Sequence, residues 1–274
     1  MIQLVACDLD GTLLNPDSTV ASRSGRLLHA LWQRGIVVVL ATGRSWRTAL
    51  KIQQELGISG PIIAHNGAYV FDTATDSEWH RRPVAMADAR AMLAFADRMS
   101  IMMRCYLGYR QPVLFNHFTP SHRAHWLRPE DRTVENLATR LSTEPVEMFF
   151  FGADEVTWFI DAFGMLSTGY ELLVFPHKDI REVNICAPRV DKVEGLEAVV
   201  KRLKLRPEQV LALGDGQNDI GMLKWAGLSV AMATGVAEAR AQADYVTSRP
   251  DLEPVEDGVL WALKQDRWRA LHDA

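Results

Sequence analysis

The chain has 274 residues, 48% apolar and 23% charged, a globular composition that fits one large domain or two modest ones and excludes extended disorder. Thirty basic against thirty-four acidic side chains give a formal charge of −4, which argues against duplex nucleic acid as the main partner, because counterion release needs a positive face. Cys7, Cys105 and Cys186 lie far apart with no C-x-x-C pair, the cysteine usage of a reducing compartment rather than of a disulfide framework.

The first seventy residues read as strand, helix, strand, helix, strand. Gln3–Cys7 is short and apolar, as a buried strand should be. Ser22–Gln33 is predicted helical, with Leu27, Leu28 and Leu31 on one face and Gly35 as the stop. Ile36–Leu40 is the clearest strand, unbroken and rich in β-branched residues, and it runs into Ala41-Thr42-Gly43-Arg44. A helix from Ser45 to Leu56 follows, closed by Gly57. Ile62–Ala64 is a third strand, and Asn66-Gly67 reads as a turn into a hairpin partner, Ala68–Phe71, with a place lining the site, since it follows that strand, as the lesser alternative.

The middle, Pro83–Pro188, differs in texture. It holds one helix-like stretch, Ala87–Met99, aromatic alternating segments at Met148–Phe151 and Val156–Ile160, and the group His117, His122 and His125, read as loop or surface rather than as a zinc site. Arg81-Arg82 reads as a solvated hinge. The alternating pattern resumes beyond residue 190, with helices at Val193–Leu203, Ile220–Trp225 and Val236–Ala243 and strands at Val210–Leu213, Ser229–Met232 and Tyr245–Val246. The prediction is an α/β protein: a doubly wound, parallel-sheet (Rossmann-like) core made of residues 1–82 and 189–274, interrupted by an inserted α+β domain over 83–188.

No apolar run approaches the roughly 18–20 residues of a spanning helix. Asp8 and Asp10 interrupt the apolar start, and no basic segment precedes them, so no signal peptide and no membrane partner are expected, and the cytoplasm is the expected location.

The strongest chemical signal is Asp8-Leu9-Asp10-Gly11-Thr12, directly after the first strand. In open α/β sheets ligands bind beyond the carboxyl ends of strands. Two carboxylates one residue apart can converge there, and burying them together is costly unless a cation neutralises them; hard oxygen ligands favour Mg²⁺. Thr42-Gly43, at the end of the second strand, offers a hydroxyl and free amides to an anion. Lys192 stands just before a helix. Gly214-Asp215-Gly216-Gln217-Asn218-Asp219 follows another apolar strand; it is not the G-x-G-x-x-G of dinucleotide binding, and there is no Walker A sequence.

At these four motifs, taken in order, the sequence resembles the haloacid dehalogenase superfamily of phosphohydrolases. The long insertion between the second and third motifs resembles the Cof-type subfamily with a C2B cap. The resemblance implies that Asp8 is the nucleophile that becomes an aspartyl phosphate, and that Asp10 is the acid and base. It implies that Mg²⁺ is held by the Asp8 carboxylate, the Asp10 main-chain carbonyl and Asp215, with Asp219 in support. It further implies that Leu9, Thr42, Gly43, Lys192 and Asn218 hold the phosphate of a small phosphorylated metabolite. Two departures stand out: Val193-Glu194-Gly195 follows the lysine where the family commonly has glycine at once, and Met232-Ala233-Thr234-Gly235 replaces Met-Gly-Asn-Ala.

A phosphomutase of the same fold is the alternative within the enzyme class. A phospho-acceptor signalling domain is the alternative outside it, but its acceptor would lie well after the first strand. A metal-dependent glycosyltransferase would place its D-x-D after a nucleotide-binding region, and here only seven residues precede it. No oligomeric state is read from the sequence.

Overall fold

In a computed structural model, residues 2–117, 128–176, 180–249 and 251–265 are described. In chain order the elements are β1 (Leu4–Cys7), α1 (Ser22–Gln33), β2 (Val37–Ala41), α2 (Trp46–Glu55), β3 (Pro61–Ala64), β4 (Tyr69–Asp72) and β5 (Ser77–Arg81). The insertion contributes α3 (Met86–Arg98), β6 (Arg104–Tyr106), β7 (Leu114–Phe115), β8 (Arg132–Thr133), α4 (Leu137–Arg140), β9 (Glu147–Gly152), α5 (Asp154–Phe163), β10 (Glu171–Pro176) and β11 (Arg181–Cys186). The last part holds α6 (Lys192–Leu203), β12 (Val210–Gly214), α7 (Ile220–Trp225), β13 (Leu228–Ala231), α8 (Ala237–Gln242), β14 (Tyr245–Val246) and α9 (Pro254–Ala262). The chain divides into two compact units, Met1–His80 with Asp191–Ala274, and Arg81–Val190.

The first unit is built on a sheet of order β14-β13-β12-β1-β2-β3-β4-β5, parallel from β14 to β3 and antiparallel between β3 and β4. Successive side chains of a strand point to opposite faces, and here both faces are covered. Val5, Cys7, Val38, Leu40, Leu211, Leu213 and Val230 pack with Leu28 and Leu31 of α1, Ile52 of α2 and Val259 of α9. Leu4, Ala6, Val39, Ala41 and Ala212 pack on the other side with Leu196 and Val199 of α6, Met222 of α7 and Ala239 of α8. This double burial is why the strands read as unbroken apolar runs. Each fully buried Leu or Val contributes roughly 1.5–3 kcal/mol, enough for the sheet to hold its strand ends as a fixed frame.

The second unit is a six-stranded sheet of order β10-β11-β9-β6-β7-β8. Met148, Phe150, Val183 and Ile185 on one of its faces share a core with Leu93 of α3 and Phe159 of α5.

Several expectations need correction. Val156–Ile160 is not an alternating strand but the middle of α5, where Asp154 and Glu155 occupy the first turn and Val156 and Phe159, three apart, face inward. Arg81 and Arg82 are half-buried and tied down rather than freely solvated: Arg81 donates to the carbonyls of Glu144 and Leu107, and Arg82 to that of Pro188. β5 and α9 extend the first unit beyond the predicted elements. His117 Nε2 lies 3.3 Å from the Ser100 carbonyl, while His122 and His125 fall outside the described residues. No helix among the described residues is long and apolar enough to cross a membrane.

Candidate active site

Because β12, β1 and β2 run parallel in register, their carboxyl ends bring three connecting loops to one edge of the sheet. The Asp8 amide donates to the Leu213 carbonyl at 3.0 Å, which ties the first loop to β12. The chain then folds back so that the amides of Leu13 and Leu14 both donate to the Leu9 carbonyl, at 3.0 and 2.8 Å. The Leu9 side chain is fully buried in the core, so only its main chain can face a ligand. Gly11 takes a left-handed φ of +75°, and a Cβ there would stand 2.2 Å from Asp215 Oδ2. Thr12 Oγ1 donates to the other Asp215 oxygen at 3.2 Å. Glycine is required at position 11 for both its φ and its bareness.

Gly11→Ala should therefore displace Asp215 and cost about 1–2 kcal/mol from the φ alone. The check is a divalent-cation titration of stability, in which the variant should need a higher concentration than the wild type to reach the same gain.

Lys192 reaches the same point from the other side. It opens α6, whose N-cap Asp191 accepts from the Val193 amide at 3.0 Å. The start of that helix lies against the turn after β3: a Cβ on Gly67, with φ +100°, would meet the Asp191 carbonyl oxygen at 2.1 Å. The glycine expected directly after the lysine stands two positions further on as Gly195, where a Cβ would meet Ile63 at 2.7 Å. The departure in sequence therefore leaves the lysine in place.

Lys192 is completely buried, and its Nζ donates to Asp8 Oδ1 at 2.5 Å and to Asp219 Oδ1 at 2.7 Å. Asp219 Oδ2 accepts from the amides of Asp215 and Gly216 at 2.9 and 2.8 Å. Both Asp219 oxygens are thus engaged in holding the lysine and the β12 loop.

The electrostatics are unbalanced. Burial pushes the Asp8 carboxyl up to about 7, against the pull of Lys192 and with Asp219 adding to the push. Burial also raises Asp215, reinforced by Asp219. Lys192 would be lowered by burial, but attraction to Asp8 and Asp219 and its hydrogen bonds to them hold its ammonium above the ordinary value. One ammonium therefore faces three carboxylates. Oxygens of Asp8, Asp215 and Asp219 all lie within 4.8 Å of one another, the one such group of possible metal ligands among the described residues. Hard oxygen donors and surplus negative charge fit a divalent cation, with Asp8 and Asp215 as the carboxylates that retain an oxygen to give it.

The remaining predicted residues line the same edge. Thr42 is fully buried; its amide donates to the Ile63 carbonyl at 2.9 Å, and its Oγ1 accepts from the Arg44 amide at 3.0 Å. A Cβ on Gly43 would stand 2.8 Å from Asn66 Oδ1, the same oxygen that accepts from Asn218 Nδ2 at 2.8 Å. Asn66-Gly67 is therefore more than a plain turn. His65, Asn66 and Gly67 take φ of 52°, 54° and 100°, an unusual run of left-handed residues that aims the Asn66 amide at Asn218.

Asp10 does not join the Asp8 cluster by its side chain. Its two oxygens accept from Arg44, Oδ2 from Nε at 2.8 Å and Oδ1 from Nη2. Arg44 was not singled out in the sequence.

A sequence profile of the haloacid dehalogenase-like hydrolases matches residues 5–263. The chain belongs to this family. Among relatives of this hydrolase, the 5-amino-6-(5-phospho-D-ribitylamino)uracil phosphatase YitU of Bacillus subtilis is 26% identical over 96% of each chain. The chloroplastic endoribonuclease YBEY of Arabidopsis thaliana is also 26% identical, over 93% of this chain, but the chain spans only 45% of that protein's length. A haloacid dehalogenase-like hydrolase from Bacteroides thetaiotaomicron has the same fold, with a TM-score of 0.77 at 22% identity over 96% of this chain and 99% of that one. This family member is an enzyme of the phosphatase class.

Proposed function

We propose that this hydrolase is a Mg²⁺-dependent phosphatase that cleaves the phosphomonoester of a small metabolite through an aspartyl phosphate on Asp8. The observation that carries the reading is the buried Asp8 carboxylate, bonded to Lys192 at 2.5 Å within an acidic cluster that needs a further cation. The relative that acts on a phosphoribityl compound supports a phosphomonoester as the substrate.

In the first step an Asp8 oxygen attacks phosphorus, the bond to the leaving oxygen breaks, and Asp10 gives that oxygen a proton. In the second step water attacks phosphorus, Asp10 takes the water's proton, and the bond between phosphorus and Asp8 breaks to release inorganic phosphate. Phosphoryl transfer asks the protein for alignment and charge neutralisation more than for covalent work. Lys192 supplies positive charge beside the nucleophile; the Thr42 hydroxyl, the main chain at Leu9 and Gly43, and Asn218 steady the phosphoryl oxygens. Asp8, Asp215 and the Asp10 carbonyl would hold Mg²⁺, which when bound offsets the charge of the transferring group. The inserted unit is assigned as the cap that selects the leaving group.

Phosphate release from a panel of phosphorylated metabolites tests the reading. Chelation with EDTA should stop release and excess Mg²⁺ should restore it, whereas release that survives chelation would contradict the metal requirement.

A further inference from the structure

We propose that Arg44 is the positioning residue for Asp10, and that it serves the reaction through the Asp10 carboxylate rather than by gripping the phosphoryl group. The inference rests on the role proposed for Asp10 and adds a residue to it.

The geometry is that of a built contact. Arg44 Nε and Nη2 each donate to a different Asp10 oxygen, and Nη2 also donates to Ser18 Oγ at 3.1 Å. A planar guanidinium that meets both oxygens of a carboxylate fixes the plane of that carboxylate as well as its distance. A carboxylate has about four lone-pair sites, and this pairing uses two of them, so another stays free to carry the proton that Asp10 gives the leaving oxygen and to accept one from water.

The arginine is itself held at its base. Its amide donates to Thr42 Oγ1 at 3.0 Å, and its carbonyl accepts from the His65 amide at 3.1 Å. Asp10 needs such support. Its side chain is 56% exposed, and it sits beside Gly11, whose backbone is left-handed. An exposed aspartate on a turn samples several rotamers unless a partner selects one.

The role predicts a pattern that phosphoryl binding would not produce. A proton donor matters most when the leaving oxygen is strongly basic, so kcat/KM, which reports steps through departure of the leaving group, should depend on Arg44 according to the leaving group. Arg44→Ala is expected to lower kcat/KM about 100-fold for an alkyl phosphate and less than about threefold for 4-nitrophenyl phosphate. Arg44→Lys should recover only part of the loss, because an ammonium cannot make the two-point contact, and added guanidinium should partly rescue Arg44→Ala. In an Asp10→Asn background, Arg44→Ala should cause little further loss on the alkyl phosphate. Equal losses on both substrates, or full additivity with Asp10→Asn, would overturn the proposal in favour of direct phosphoryl binding.

An inactive wild type would overturn the phosphatase reading instead. The pair is then judged by ¹⁵N NMR of the Arg44 guanidinium: a protected Nε–H that is lost in Asp10→Asn supports the clamp, and a freely exchanging one overturns it.

Discussion

Asp8→Asn is expected to lower phosphate release by at least about four orders of magnitude while leaving the core unit folded. Asparagine keeps the size of the side chain and an oxygen that can still accept from Lys192 Nζ, so the contact seen at 2.5 Å keeps a chemical basis. It lacks a carboxylate oxygen able to form a bond to phosphorus. The loss should fall on kcat for every phosphomonoester tested, irrespective of leaving group, in contrast to the selective losses at Arg44. Steady-state kinetics on two substrates of different leaving-group basicity, with urea unfolding as the folding control, separate the cases. Retained turnover in a preparation free of wild-type enzyme would remove Asp8 as nucleophile.

Lys192→Met carries the largest expected stability effect. Methionine fills most of the space but leaves Asp8 and Asp219, both almost wholly buried, without their ammonium. Breaking a buried ion pair from one side costs about 3–5 kcal/mol, because the abandoned charge stays in a poor solvent. The cost should be largely relieved in Lys192→Met/Asp219→Asn, which removes one of the stranded charges, and the two substitutions should be strongly non-additive in urea unfolding. Added Mg²⁺ should also stabilise Lys192→Met more than it stabilises the wild type. A loss below about 1 kcal/mol, or additive effects, would mean that the pair is weaker than its geometry indicates.

The sequence was most legible where burial on both faces made the strands apolar. β1, β2 and β12 stood out for that reason, and with them the loops that carry Asp8, Thr42 and Asp215. β5, with the sequence Ser-Glu-Trp-His-Arg, sits at the sheet edge; none of its residues is fully buried, so no apolar alternation marks it. α9 did carry a signal, since Pro254 at its first position and Val255, Val259 and Ala262 at helical spacing mark an N-terminus and an inward face. α5 was misread because Val-Thr-Trp-Phe-Ile is rich in β-branched and aromatic residues, while the acidic first turn and Gly164 mark it as a helix.

Arg44 and Asn66 mark a different limit. Each acts through a partner distant in sequence, Asp10 and Asn218, and neither has a local pattern that separates it from a solvated arginine or a turn asparagine. Lys192 became legible only in company with the other motifs, since its burial depends on two carboxylates, Asp8 and Asp219, contributed by two other loops.

The central claim is that Asp8 carries the phosphoryl group between substrate and water. Its most direct test is acid quenching during turnover of a phosphomonoester, followed by mass spectrometry of the peptide that contains Asp8. The account predicts one base-labile phosphoryl group on Asp8, present in the wild type and absent in Asp8→Asn. A phosphoryl group on another residue, or none in an enzyme that shows a burst of alcohol release ahead of phosphate, would contradict it.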